Sequence, residues 1–226
     1  MLDYNSHYEN RIPCTTSSNT GDKWVRELLN GHPTRFYYNF RMSKQIFLDL
    51  LETLVSNYGL EGSRSTTTKE VLAITIYILA HNLTMRECLE RFQHSTETIS
   101  RYFSKGLDAL VKLSQDVIAP IDNDDRYMPY FKDCIGAIDG THVDARIPVK
   151  KQVPYIGRHG FPTQNVMAVC DFDMSFTFVM LGWEGSAHDS RIFQSAITND
   201  RWNFPHPPPG NLYKIFSRVQ LQLICH

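Results

Sequence analysis

The sequence predicts a mixed α/β protein, α+β overall. An N-terminal helical domain with a helix-turn-helix-like region precedes a strand-rich domain that is itself α/β or α+β. Three observations predict this. Apolar residues recur at helical spacing from Trp24 to about Leu113. A proline-bearing, acidic stretch over 116–132 then ends the helical pattern. Beyond it, runs rich in Val, Ile and Phe are bounded by Gly, Pro and polar turns, as strands are. Helices first and strands later, with a helix behind the last strand, fit an α+β order.

Residues 1–22 are polar and rich in Ser, Thr and Asn, and read as a flexible leader. The helical domain is expected over 23–115. "SKQIFLDLLETLVSNYG" opens on Ser43, a good N-cap, and places Phe47, Leu50, Leu51 and Leu54 on one face. Gly59 supplies its stop. "TTKEVLAITIYILAHN" begins with Thr67-x-x-Glu70, a capping box in which each side chain satisfies the other residue's free N–H. Thr84-x-x-Glu87 repeats the device ahead of the stripe Met85, Cys88, Leu89 and Phe92. A further helix follows "QHS", with Ile99, Phe103, Leu107 and Leu110 recurring at four, four and three.

A short helix, a tight turn and a helix starting "STETISRYFSKG" resemble a helix-turn-helix. In such modules the second helix enters the major groove and its N-terminal side chains meet base edges. Ser95, Thr96, Thr98 and Arg101 are the outward candidates for DNA contact. The plain alternative is a helical bundle with no DNA contact. Basic residues here only modestly outnumber acidic ones, which gives weak electrostatic support.

The sheet domain is expected over 133–226. "DCIGAIDGTHVDARIP", "NVMAVCDFD" and "SFTFVMLGW" read as strands. A tight turn near Asp173-Met174-Ser175 joins the last two as a hairpin. "SAHDSRIFQSAIT" reads as a loop feeding a helix, with Ile192, Phe193 and Ala196 inward.

Composition excludes several classes. The 226 residues are 42% hydrophobic and 12% aromatic, so a packed core is expected. The formal net charge of -1 means that any nucleic-acid surface must be local. No apolar run approaches the roughly 20 residues of a membrane span, and no secretory signal opens the chain. Five scattered cysteines (14, 88, 134, 170 and 225) without a CxxC pair argue against a disulfide framework or a zinc knot, and for a reducing compartment.

Two carboxylates carry chemical interest. Asp139 ends an apolar run beside Gly140, and Asp189 lies in "GSAHDSR" just after another strand. Neighbouring strands would let both converge at one sheet end, and converging carboxylates with open positions suit Mg²⁺ or Mn²⁺. Two such ions activate water and stabilise the leaving oxygen of a phosphodiester. Other readings stay open. Asp139-Gly140 is also a turn signal, Asp189 also suits a helix N-cap, and Asp171 and Asp173 suit hairpin turn positions. His142 and His188 are candidate outer-sphere donors to a metal site, or ordinary polar residues.

"GAIDGTHVDARIP" followed by "NVMAVCDFDMSFTFVMLGWEGSAHDSRIFQSAI" resembles the nuclease domain of the PIF/Harbinger transposases and of the nucleases derived from them. The resemblance is strong over about 130–210. The helical half is similar to the region ahead of this domain in plant members. The resemblance implies an RNase H-like, DDE-type fold, a mixed sheet flanked by helices, that cuts or joins DNA with two divalent metals. It implies that Asp139 is the first catalytic, metal-binding aspartate and that Asp189 is a second metal-facing one. It also implies a Myb-like DNA-binding partner and a nuclear location, with the cytoplasm as a second. Where the family continues with a strand of the type "YYLVDAGY", this chain reads "PPPGNLYKIFSRVQLQLICH". No carboxylate stands near Ile215 or Phe216, and Asp200 is the last acidic residue. The domain is therefore expected to be incomplete after about 212, its nuclease activity impaired and one apolar sheet face uncovered. The rival expectation is a non-catalytic nuclear DNA-binding or protein-interaction module.

Overall fold

The computed structural model describes residues 15–118, 134–158 and 160–206, and the backbone of 222–225. It divides into two compact units between Ser114 and Gln115. The expected linker over 116–132 lies largely outside the described residues, although helix still runs through Val117.

Among its described residues the first unit holds six helices: α1 (Gly21–Asn30), α2 (Pro33–Phe40), α3 (Lys44–Asn57), α4 (Thr68–His81), α5 (Met85–Phe92) and α6 (Thr96–Val117). Helix α4 is the centre. Its run Val71, Leu72, Ala73 and Ile74 is fully buried, as an all-round apolar helix must be. Around it stand Trp24, Phe36, Phe40, Phe47, Leu54, Phe92 and Ile99. Trp24 meets Phe40, Tyr77 and Phe92 at ring-centroid distances of 5.9, 5.4 and 5.5 Å. The expected leader is thus shorter than 1–22. Thr20 caps α1, and Gly21 is already helical and buried.

Most of the cap chemistry is as expected. The Ser43 hydroxyl accepts the Ile46 N–H at 3.2 Å. Gly59 sits at φ 68°, behind α3. Thr84 and Glu87 form a complete capping box. The Thr67 box forms only by half. Thr67 accepts the Glu70 N–H at 3.2 Å, but the Glu70 side chain turns inward to the His94 ring at 3.0 Å. Core burial outcompetes the cap because His94 offers the buried carboxylate a better partner than an exposed N–H does. The stripe on α6 also shifts. Ile99, Tyr102, Gly106 and Ala109 are buried, whereas Leu107 is exposed. A Cβ on Gly106 would stand 2.8 Å from Thr75 Cβ, so glycine sets how closely α6 approaches α4.

Cys88 on α5 is fully buried. Burial, with a smaller push from the Glu87 carboxylate, raises its thiol from 9.0 to about 11. The folded state holds this proton more tightly than the unfolded chain. The associated stability is therefore complete below about pH 9 and fades as pH rises through about 11. At pH 8 the native Cys88 is expected to resist iodoacetamide and to react once urea unfolds the chain. Mass spectrometry that finds equal labelling in both states would contradict this.

The second unit is a four-stranded sheet in the order β3-β2-β1-β4. The strands are β1 (Cys134–Asp144), β2 (Thr163–Cys170), β3 (Phe176–Glu184) and β4 (Gln222–Cys225), and helix α7 (Asp189–Thr198) follows β3. Every described pairing is antiparallel, so the mixed sheet is not what these residues form. The β2–β3 hairpin forms as expected. The Asp171 carboxylate accepts the Ser175 N–H at 2.8 Å, and Met174 takes φ 63°. Ile138, Met167, Val169, Phe178 and Met180 pack on one face against Ile192, Phe193 and Ala196 of α7, with Phe204. No described helix is long and apolar enough to cross a membrane.

Candidate functional site

The segment around Asp139 is not a strand end. β1 runs through Asp139 and Gly140 to Asp144, in unbroken register with β2 from Ala137↔Cys170 to Asp144↔Thr163. The Asp-Gly pair makes no turn here, because eight consecutive cross-strand pairings hold the chain extended. Successive side chains in a strand point to opposite faces. Ile138 belongs to the core under α7, and a Cβ on Gly140 would fall against the Asp189 carboxylate, 2.7 Å from its Cγ. Both therefore face α7, and Asp139 between them faces away.

Asp139 and Asp189 consequently stand on opposite faces of the sheet, and the expected convergence is not what the strand geometry gives. Asp139 is exposed, opposite Ala168, and its Oδ1 accepts the Gly140 N–H at 2.9 Å. Its face also carries Thr141, Val143 and Val166 by alternation. On the same face Val143 is 51% exposed.

On the α7 face, a pocket of about 590 Å³ is lined by His142, Gly157, Arg158, Gly185, Ser186, Ala187, His188 and Asp189. The structure thus brings His142, His188 and Asp189 together and leaves Asp139 out. His142 Nδ1 lies 3.2 Å from the Thr163 hydroxyl.

Each residue of the "HDSR" string has a docking task. His188, not Asp189, is the N-cap of α7, and its Nδ1 accepts the Ser190 N–H at 3.2 Å. Asp189 is the first helical residue, where a negative charge is favoured by the helix dipole. Its Oδ1 accepts from Asn165 Nδ2 at 2.6 Å. Ser190 Oγ lies 2.8 Å from His188 Nδ1, and Arg191 sits 5.4 Å from the Trp183 ring centroid.

Sequence reasoning passed over Asn165. It is buried in the middle of β2, and its amide also donates to the Ala187 carbonyl at 3.0 Å. The signal was a polar residue on the inward side of an alternating strand. Arg158 was passed over as well.

Among the described residues no group of three or more His, Cys, Asp or Glu side chains is placed to hold a metal ion. A two-metal carboxylate set does not fit these residues as they stand. Asp139 offers one exposed carboxylate, and Asp189 is already occupied by Asn165 and packed on Gly140.

The helix-turn-helix candidates sit at the start of α6, behind a turn of Gln93, His94 and Ser95. The Ser95 hydroxyl accepts the Thr98 N–H at 3.2 Å and lies 2.9 Å from the Thr98 hydroxyl. Both hydroxyls thus close the helix end. Thr96 is half-buried, while Arg101 is exposed with its guanidinium 5.4 Å from the Tyr102 ring centroid.

Comparison with known proteins agrees with the division into two units. Residues 16–112 match a domain family of unknown function, DUF8040, and residues 138–210 match the DDE superfamily endonuclease family. Two curated relatives carry the name "Putative nuclease HARBI1". The protein from Rattus norvegicus is 29% identical over 73 residues, which covers 32% of this chain and 21% of the relative. The one from Mus musculus is 29% identical over 115 residues, covering 46% and 33%. The chain therefore matches a third or less of the length of either relative. No solved structure matches it significantly. Residues 138–210 match the DDE superfamily endonuclease domain, and the chain is distantly homologous to the Harbinger-derived nucleases.

Proposed function

We propose that this chain is a DNA-acting member of the Harbinger-derived nuclease lineage whose own residues support DNA engagement better than strand cleavage. Divalent-metal-dependent hydrolysis of DNA phosphodiesters is the chemistry of the lineage, with Mg²⁺ or Mn²⁺ as the cofactor. In this reading Asp139 is the carboxylate that would contribute to a metal site. It is exposed and free of any ion pair to a protein cation among the described residues. Asp189 serves instead to hold α7 on the sheet, with His188 as its cap and His142 on the pocket wall. A Myb-like partner would supply sequence-specific targeting, in the nucleus and with the cytoplasm as a second location.

One observation carries the reading. The two candidate ligands face opposite sides of β1, and among the described residues no group of three or more metal-ligating side chains gathers around Asp139. Mg²⁺ held by a single carboxylate keeps most of its waters and lacks the fixed geometry that in-line displacement needs. The purified chain is expected to nick supercoiled DNA with Mg²⁺ no faster than background, and Asp139→Asn is expected to leave that level unchanged. Mg²⁺-dependent nicking that Asp139→Asn abolishes would overturn the impaired reading and restore a working nuclease.

A further inference from the structure

The connection between β1 and β2 has a composition that the sheet does not require. From Ala145 to Cys170 the chain contains no Asp or Glu, yet it carries Arg146, Lys150, Lys151 and Arg158. All four are exposed, and none forms an ion pair among the described residues. The connection is also held in place. The Ala145 N–H donates to the Pro162 carbonyl at 3.0 Å and closes its base. Gln152 Nε2 donates to the Ile147 carbonyl at 2.8 Å. The Ser186 N–H donates to the Pro154 carbonyl at 3.2 Å, which ties the connection to the loop ahead of α7. Gly157 lies so close to Gly185 that a Cβ would meet its carbonyl carbon at 3.2 Å.

Two 3₁₀ turns, Val149–Lys151 and Val153–Tyr155, sit on this frame. They turn Val149 and Val153 outward, 81% and 79% exposed. Four cations without an ion pair among the described residues repel one another on one short pinned connection, and apolar side chains standing between them gain nothing from water. Such a surface fits a partner that brings regularly spaced negative charge with apolar faces between the charges. A nucleic-acid backbone has that chemistry, with phosphates for the cations and sugars for the valines. The connection lies at the end of the sheet where Arg158 and Asp189 line the pocket, five residues along β1 from Asp139.

We infer that the β1–β2 connection is a DNA-backbone-binding surface that works through Arg146, Lys150, Lys151 and Arg158 without any metal. The choice of DNA among polyanions rests on the nuclease lineage proposed above. The binding itself does not depend on cleavage. The test is fluorescence anisotropy of a short labelled DNA duplex with the whole chain in EDTA, across a series of salt concentrations. Each neutralised phosphate contributes about 0.9 to the slope of log affinity against log salt. The triple variant Arg146→Ala, Lys150→Ala, Lys151→Ala removes only exposed side chains, and circular dichroism checks that it folds. It is expected to bind at least about tenfold more weakly at low salt and to lower the slope by roughly 2 to 3. Three results would overturn the proposal: no duplex binding by the unaltered chain, an unchanged slope in the triple variant, or loss of the slope in Arg101→Ala instead. Preference of the unaltered chain for phosphatidylserine vesicles over duplex would do so too. A nicking assay with Mg²⁺, run separately, reports on the cleavage reading alone.

Discussion

Gly140→Ala is expected to destabilise the sheet unit by about 2 kcal/mol, an overpacking cost. The new methyl group would point at the Asp189 carboxylate, 2.7 Å from its Cγ. That carboxylate cannot easily step aside, since Asn165 holds it at 2.6 Å and it belongs to the first turn of α7. Relief would require α7 to lift from the face where Ile192 and Phe193 pack on Ile138 and Met167. Asp189→Ala alone removes the hydrogen bond from Asn165 and is expected to cost about 1 kcal/mol. The two substitutions touch one contact, so they should not add. The double variant is expected to recover about 1 kcal/mol or more relative to the sum. Urea unfolding, with hydrogen exchange of the β1 and α7 amides to isolate this unit, measures the cycle. Strict additivity would mean that the carboxylate does not rest on Gly140, and the assignment of Asp189 to helix docking would fail with it.

The same contact shows what the sequence could and could not reveal. The strands, the hairpin at Asp171 to Ser175 and the inward face of α7 follow from local rules, and these rules read correctly. Period-two alternation even sets which side of β1 each residue faces. What misled was the assumption that Asp-Gly ends a strand. Glycine is tolerated inside β1 because a carboxylate from α7 fills the space a side chain would take, a tertiary fact with no local signal. Once β1 continues to Asp144, parity puts Asp139 and Asp189 on opposite faces. The motif "HDSR" was legible as a helix start but not as a docking device, since Asn165 and Trp183 lie 24 and 8 positions before the residues that meet them. In the helical unit the Thr67-x-x-Glu70 signal was correct for the hydroxyl and wrong for the carboxylate. The competing partner, His94, is one that no local spacing indicates.

That competing partner leads to the other large effect expected. Glu70 is 2% exposed, and His94 lies 3.0 Å from its Oε1. The carboxylate also sits where α1 begins, since a Cβ on Gly21 would run into it as well as into Phe92, 2.7 Å from Cδ1. His94→Ala removes the partner, leaves the carboxylate in place and opens space beside Tyr102, whose ring centroid is 6.2 Å from that of His94. A buried acceptor stripped of its partner is expected to cost about 3 kcal/mol. Glu70→Gln keeps an acceptor for the ring at nearly the same volume and is expected to cost about 1 kcal/mol. The difference between the two is the informative quantity. If the pair stabilised chiefly by charge attraction, both substitutions would cost alike. If the cost lies in an orphaned buried oxygen, His94→Ala is much the worse, and Glu70→Leu in the His94→Ala background should recover part of the loss by removing the orphan. Thermal and urea unfolding of the three variants, followed through the Trp24 environment, decides between these outcomes. Equal losses in His94→Ala and Glu70→Gln would refute the account given for why Glu70 abandons its cap.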